Sequence, residues 1–174
     1  IGDKKIKDNK LKSIIVSEEY KPWKFLSGKK FLNENLILFD QKLLKNFYLN
    51  RGYYDVKINS SFAKLRDNNE FELIFNINAN KKFFFNELKI TFPDDFDANN
   101  FNKLNELFDE IKGNHYSLSI VEKILDEINK ITLNEEYRSI TASVNENIVA
   151  NKINLNFLKK ETEKFLVDKI NIKG

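Results

Sequence analysis

Cysteine and methionine are both absent from this 174-residue chain. Without cysteine there are no disulfides, thiolate metal sites or thiol nucleophiles. The compartment stays open, because an oxidising environment permits disulfides without requiring them. Histidine occurs once, at His115 after Gly113 and Asn114. Catalysis through it would need a base, nucleophile or metal partner at a readable spacing, and none is present, so it reads as a surface loop residue. The five glycines stand at positions 2, 28, 52, 113 and 174. They spell no P-loop, dinucleotide fingerprint or Gly-x-Ser-x-Gly elbow. No run approaches the roughly 20 apolar residues of a membrane-spanning helix. The net charge of +3 is too small to argue for nucleic acid.

What is present is the material of a folded protein. Hydrophobic residues make up 41% and charged residues 32%, and 16 Phe point to a core of Phe, Ile and Leu. Charge is divided along the chain. Residues 1–80 carry 15 Lys/Arg against 10 Asp/Glu, whereas residues 81–162 carry 11 against 14. Opposite signs favour separate partners or complementarity over one polyanion track.

The chain repeats itself. The segment from Lys82 to Ile90 (Lys-Phe-Phe-Phe-Asn-Glu-Leu-Lys-Ile) recurs 82 residues later from Lys164 to Ile172 (Lys-Phe-Leu-Val-Asp-Lys-Ile-Asn-Ile). In both, bulky apolar residues lead into an alternating strand, and Ile1-Gly2-Asp3 reads like the end of an earlier copy. Between these markers the order of elements also repeats. Leu11, Ile14 and Ile15 follow Asp8 as N-cap and predict a short helix. Asn33 caps a second helix with Leu36, Phe39, Leu43, Leu44 and Phe47 on its apolar face, closed by Gly52. Alternation at Val56, Ile58, Ser60 and Phe62, a turn at Asp67–Asn69, and alternation at Phe71, Leu73, Phe75 and Ile77 predict a hairpin.

The second unit follows the same plan. Pro93 halts a strand over 84–92. Phe101, Leu104, Phe108 and Ile111 mark a helix closed by Gly113. Ser117 caps another, with Val121, Ile124, Leu125, Ile128 and Ile131 along one face. A strand from Ile140 to Asn145, a turn near Asn147–Asn151, and Ile153, Leu155 and Phe157 complete a second hairpin. Each unit is β-α-α-β-β in about 80 residues, enough for a modest core.

The run from Leu43 to Ile58, with its long helix, Gly52-Tyr53 and alternating strand, resembles a POTRA domain. Trp23, Phe25 and Leu26 in the preceding loop, and Ile1-Gly2-Asp3-Lys4, are similar to BamA-type outer-membrane assembly proteins. The resemblance implies an α+β fold of two tandem modules, each a three-stranded mixed sheet backed by two helices. Residues 1–80 would be one module lacking most of its first strand, 81–162 a second, and 163–174 the first strand of another. They correspond to the third and fourth modules and the start of the fifth. The second unit departs from the pattern, with Glu136-Tyr137 in place of Gly-Tyr.

The resemblance further implies a periplasmic arm beneath an outer-membrane β-barrel in the C-terminal part of the same full-length chain, in a Gram-negative bacterium. Its partners would be unfolded outer-membrane protein strands and accessory lipoproteins; no nucleic acid, cofactor, metal or catalytic residue is implied. An exposed sheet edge can accept an extended chain through backbone bonds that ignore sequence. The candidate edges are Val56, Lys57, Ile58, Asn59, Ser60, Ser61 and Phe62, and Thr141, Ala142, Ser143 and Val144. Alternation predicts that Val56, Ile58 and Phe62 face the core while Lys57, Asn59 and Ser61 face water. Trp23, Phe25 and Leu26 form either a docking loop or a lid on their own module.

Other signals have plainer readings. Asp94, Asp95 and Asp97 lack the spacing of a calcium loop and suit a helix N-terminus. Lys4, Lys5, Lys7, Lys10 and Lys12 read as a solvated helix face. Two alternatives remain: POTRA modules of a two-partner secretion or organelle import transporter, and a KH-like nucleic-acid module. The latter needs a Gly-x-x-Gly loop that these glycines cannot form.

Overall fold

The computed structural model describes residues 5–17, 34–65, 71–91, 98–134 and 140–161. Contacts divide the chain into two units, Ile1–Phe84 with His115–Leu118, and Phe85–Asn114 with Ser119–Gly174. Helices pack with small sheets in an α+β arrangement, as the repeat predicts.

The first unit opens with α1 (Asp8–Lys12). Its N-cap is Lys7 rather than the expected Asp8, with no capping side-chain bond, and Asp8 lies in the first turn. An acidic group there still suits the helix dipole. The long helix α2 (Glu34–Leu49) buries Asp40, Leu44, Phe47 and Tyr48. This corrects the predicted face, because Phe39 is 49% exposed while Asp40 is fully buried. Asp40 explains the rotation: its Oδ1 accepts the Val16 N–H at 2.7 Å and its Oδ2 the Ser17 N–H at 3.2 Å. A buried carboxylate is tolerated when its oxygens are bonded, and position 40 lies four and seven residues before Leu44 and Phe47, on the same stripe.

Gly52 ends α2 as predicted, at φ +88°. The Tyr53 N–H reaches the Tyr48 carbonyl at 3.1 Å and the Gly52 N–H reaches Leu49 at 3.2 Å. This pair of bonds is the Schellman closure, which satisfies carbonyls the helix cannot. Strands β1 (Lys57–Leu65) and β2 (Phe71–Asn78) pair antiparallel. Tyr53, Val56, Ile77 and Ala79 join Leu44, Phe47 and Tyr48 in the core, with Ile6, Leu11, Ile14 and Ile15 packed against it.

In the second unit β5 (Lys152–Glu161) lies between β3 (Phe84–Thr91) and β4 (Ile140–Val149). Ile153, Leu155 and Phe157 are buried, the alternation expected of a central strand with one covered face. Asn154 and Asn156 occupy the other face. Asn154 accepts from Asn86 at 2.7 Å, and Asn156 accepts from Thr91 at 2.9 Å. Both bonds ascend β3 and β5 together, as in parallel neighbours. The Glu87 N–H also donates to Asn154 Oδ1, at 3.1 Å.

A 3₁₀ turn (Ala98–Phe101) leads into α3 (Asn102–Ile111), and α4 (Leu118–Asn134) follows Ser117. Phe101, Leu104, Phe108 and Ile111 are buried, as are Val121, Ile124 and Ile128, while Leu125 and Ile131 are half-buried. Phe108 and Phe157 stack at 5.6 Å. Gly113, at φ +83°, follows α3 and donates to the Phe85 carbonyl at 2.8 Å.

Candidate polypeptide-binding edges

Strand β4, which holds Thr141, Ala142, Ser143 and Val144, is an edge of the order β3-β5-β4 among the described residues. Its register with β5 runs unbroken from Ile140↔Glu161 to Val149↔Lys152. Only Ala150 and Asn151 join the strands, shorter than the turn predicted near Asn147–Asn151, so β4 runs on to Val149. In a two-residue hairpin the residues flanking the turn exchange backbone bonds, and every second pair does so thereafter. Val149, Asn147, Asn145, Ser143 and Thr141 therefore address β5. Ala142, Val144, Glu146 and Ile148 turn their backbone groups the other way.

One bond bears this parity out. The Ala142 N–H donates to Asn129 Oδ1 of α4 at 3.0 Å. Among the described residues, of the four β4 residues named from sequence, only Val144 combines an outward backbone with no such cap from α4. Farther along, Ile148 and Val149 are large apolar residues 42% and 58% exposed. Sequence reasoning ended the strand at Asn145 and missed them; the alternation Val144-x-x-x-Ile148 was the available signal.

The edge in β1 is different. Val56 precedes the strand, is 6% exposed, and spends its N–H on the Tyr53 carbonyl at 3.2 Å. Its side chain belongs to the core and its N–H to the turn. Lys57 pairs with Asn78 and Ile58 with Ile77, but the register shifts between Ile58 and Ser60. Asn59 is the extra residue of a bulge, which interrupts the ladder and bends the strand. Past it Ser61 is opposite Phe75, and Phe62 opposite Ile74. The predicted continuous alternation from Val56 to Phe62 therefore breaks at Asn59, and Ser61 rather than Phe62 falls in register with the Ile77–Phe75 parity. Bulges are a common way to blunt an edge.

Trp23, Phe25 and Leu26 lie outside the described residues, as do Asp94, Asp95, Asp97 and the tail 163–174. Lys5, Lys7, Lys10 and Lys12 are exposed. His115 is exposed but has neighbours: an isolated antiparallel bridge to Phe84, a ring contact with it at 4.9 Å, and Lys82 Nζ 3.2 Å from its Nε2. Next to it the Tyr116 N–H donates to the Phe83 carbonyl at 2.9 Å, and the Phe83 N–H donates to the Gly52 carbonyl at 2.8 Å. Tyr54 packs edge-on against Tyr116 at 5.0 Å and tilted against Phe83 at 5.5 Å. This aromatic cluster around Gly52 was invisible to periodicity, because its members come from three separate turns. Among the described residues no three His, Cys, Asp or Glu side chains stand close enough to hold a metal, and no helix is long and apolar enough to cross a membrane.

No curated protein sequence matches the chain. The family model for POTRA, described as surface antigen variable number repeat, matches residues 1–80. The crystal structure of POTRA domains 3–5 of Haemophilus influenzae BamA is similar, with a TM-score of 0.63 and 16% identity over 91% of this chain and 62% of that one. BamA from Haemophilus ducreyi lacking POTRA domains 1–3 gives 0.61 and 16%, over 92% of this chain and 28% of that one. The chain thus spans less than two thirds of either structure. Residues 1–80 carry the POTRA sequence pattern, and the chain as a whole has the fold of a BamA-type tandem POTRA region.

Proposed function

We propose that the chain is part of a periplasmic scaffold that receives unfolded outer-membrane proteins by strand addition and also docks accessory lipoproteins. Residues 1–80 and 81–162 are its third and fourth POTRA modules, and 163–174 opens the fifth. A C-terminal outer-membrane β-barrel of the same full-length chain completes the protein. The observation that carries this reading is β4, a regular ten-residue strand at the rim of its sheet among the described residues. Its alternate backbone groups face away from β5, where an extended chain can join by main-chain bonds alone. Each such bond nets about 0.5–1.5 kcal/mol in water, so a client held by a few of them is also released.

Backbone NMR of the chain titrated with peptides from outer-membrane β-strands tests the reading. Amide shifts along β4 at millimolar peptide are the expected result. Absence of shifts on both β4 and β1 would leave the modules as spacers or lipoprotein-docking units.

A further inference from the structure

We propose that Asn129 fixes where an added strand begins on β4, confining it to Val144–Ile148; this rests on the strand-addition reading above. The half-buried Asn129 projects from α4 between the buried Ile128 and the exposed Lys130, one turn before buried Thr132, and its Oδ1 accepts the Ala142 N–H at 3.0 Å. An amide oxygen at that place imitates the carbonyl that an incoming strand would present. The base of the edge is therefore already paired from within, and a new strand that displaced Asn129 would exchange one bond for another without gain.

Outward-facing residues recur every second position, so the next start is Val144 and the last before the turn is Ile148. That stretch of five residues is about 17 Å long. Its side chains also select the occupant. Exposed Ile148, with Val149 beside it, favours an apolar residue at that end of the added strand. The segment that fits is short, extended and apolar.

The test compares the 174-residue chain with its Asn129→Ala variant, titrating each with a blocked decapeptide of alternating valine and threonine and following backbone amides. In the parent chain, shifts stop at Val144 and Ala142 is unmoved. In N129A the footprint reaches Ala142 and binding tightens about 2- to 10-fold, the worth of one further backbone bond. Asn129→Asp keeps an oxygen acceptor and retains the parent footprint. Asn129→Ser, too short to reach Ala142, gives the N129A result and replaces that variant should it fail to fold.

A parent footprint that includes Ala142, or one unchanged in N129A and N129S, overturns the role of Asn129 while leaving strand addition intact. Peptide shifts confined to β1 do the same. Shifts at Val144–Ile148 that grow with protein concentration and need no peptide would assign the edge to a second copy of the chain. No binding anywhere removes the strand-addition reading and this inference with it.

Discussion

Replacing Gly52 by alanine tests the account of how the first unit is held together. The residue sits at φ +88°, a conformation that costs an L-residue about 1–2 kcal/mol. Alanine also reduces the freedom of the unfolded chain, which offsets about 0.4–1 kcal/mol. Backbone strain alone therefore predicts a net loss near 1 kcal/mol. Gly52 has a second constraint: a Cβ there would stand 3.2 Å from the Phe83 carbonyl oxygen and 3.2 Å from the His115 Cβ. The Phe83 oxygen is not free to retreat, because it accepts the Tyr116 N–H at 2.9 Å, and the Phe83 N–H is itself bonded to the Gly52 carbonyl.

Relieving the crowding stretches one or both of these bonds, worth about 0.5–1.5 kcal/mol each. G52A should then cost about 2–3 kcal/mol in all. Gly113 supplies the control, with φ +83° and nothing within 4 Å of an added Cβ. G113A should show the backbone term alone, about 1 kcal/mol. Because the two glycines belong to different units, a single unfolding curve could merge their transitions. Residue-resolved hydrogen exchange in increasing urea separates them, read at Tyr48 and Ile77 for one and Phe108 and Leu155 for the other. A G52A loss equal to or smaller than that of G113A would refute the packing argument and leave only the dihedral.

Two further substitutions probe other joints. Asp40→Ala removes the acceptor for two backbone donors at once, Val16 and Ser17, and should cost about 2–4 kcal/mol, with both amides losing exchange protection; an unchanged urea midpoint would show that the carboxylate does not tie α1 to α2. Ala150→Gly relieves a left-handed alanine at φ +59° in the β4–β5 turn and should raise stability by up to about 1 kcal/mol, seen as a higher thermal midpoint of the second unit.

Periodicity carried much of the fold. Phe101, Leu104, Phe108 and Ile111 fall on one helical stripe, and Ile153, Leu155 and Phe157 alternate in a strand with one covered face, so local spacing alone located both. The resemblance drew on the same kind of signal, chiefly a long helix closed by Gly52-Tyr53. The failures share a cause: each depended on a partner distant in sequence. Phe39 was placed inward because nothing near it reveals that Asp40 meets Val16 and Ser17, more than 20 residues earlier. Phe62 was placed in phase with Ile58 because the bulge at Asn59 is written in no neighbouring glycine or proline. The bond from the Ala142 N–H to Asn129 has no local signal either, because it comes from the packing of α4 beside β4. Strand β4 was thus legible as a strand, whereas its extension to Val149 and the bond from Ala142 to Asn129 were not.

The outer face of the second sheet carries a further consequence. Asn147 is directly opposite Asn154, Asn145 opposite Asn156, and Asn86 and Thr91 bond onward to Asn154 and Asn156. These contacts link strands through neutral amides and a hydroxyl, with no ion pair among them. Dissolved ions screen charge and leave neutral dipolar contacts nearly untouched. Cross-strand cohesion here should hold alike in dilute and concentrated electrolyte, so that such a sheet needs no ion atmosphere of fixed strength to keep its strands in step.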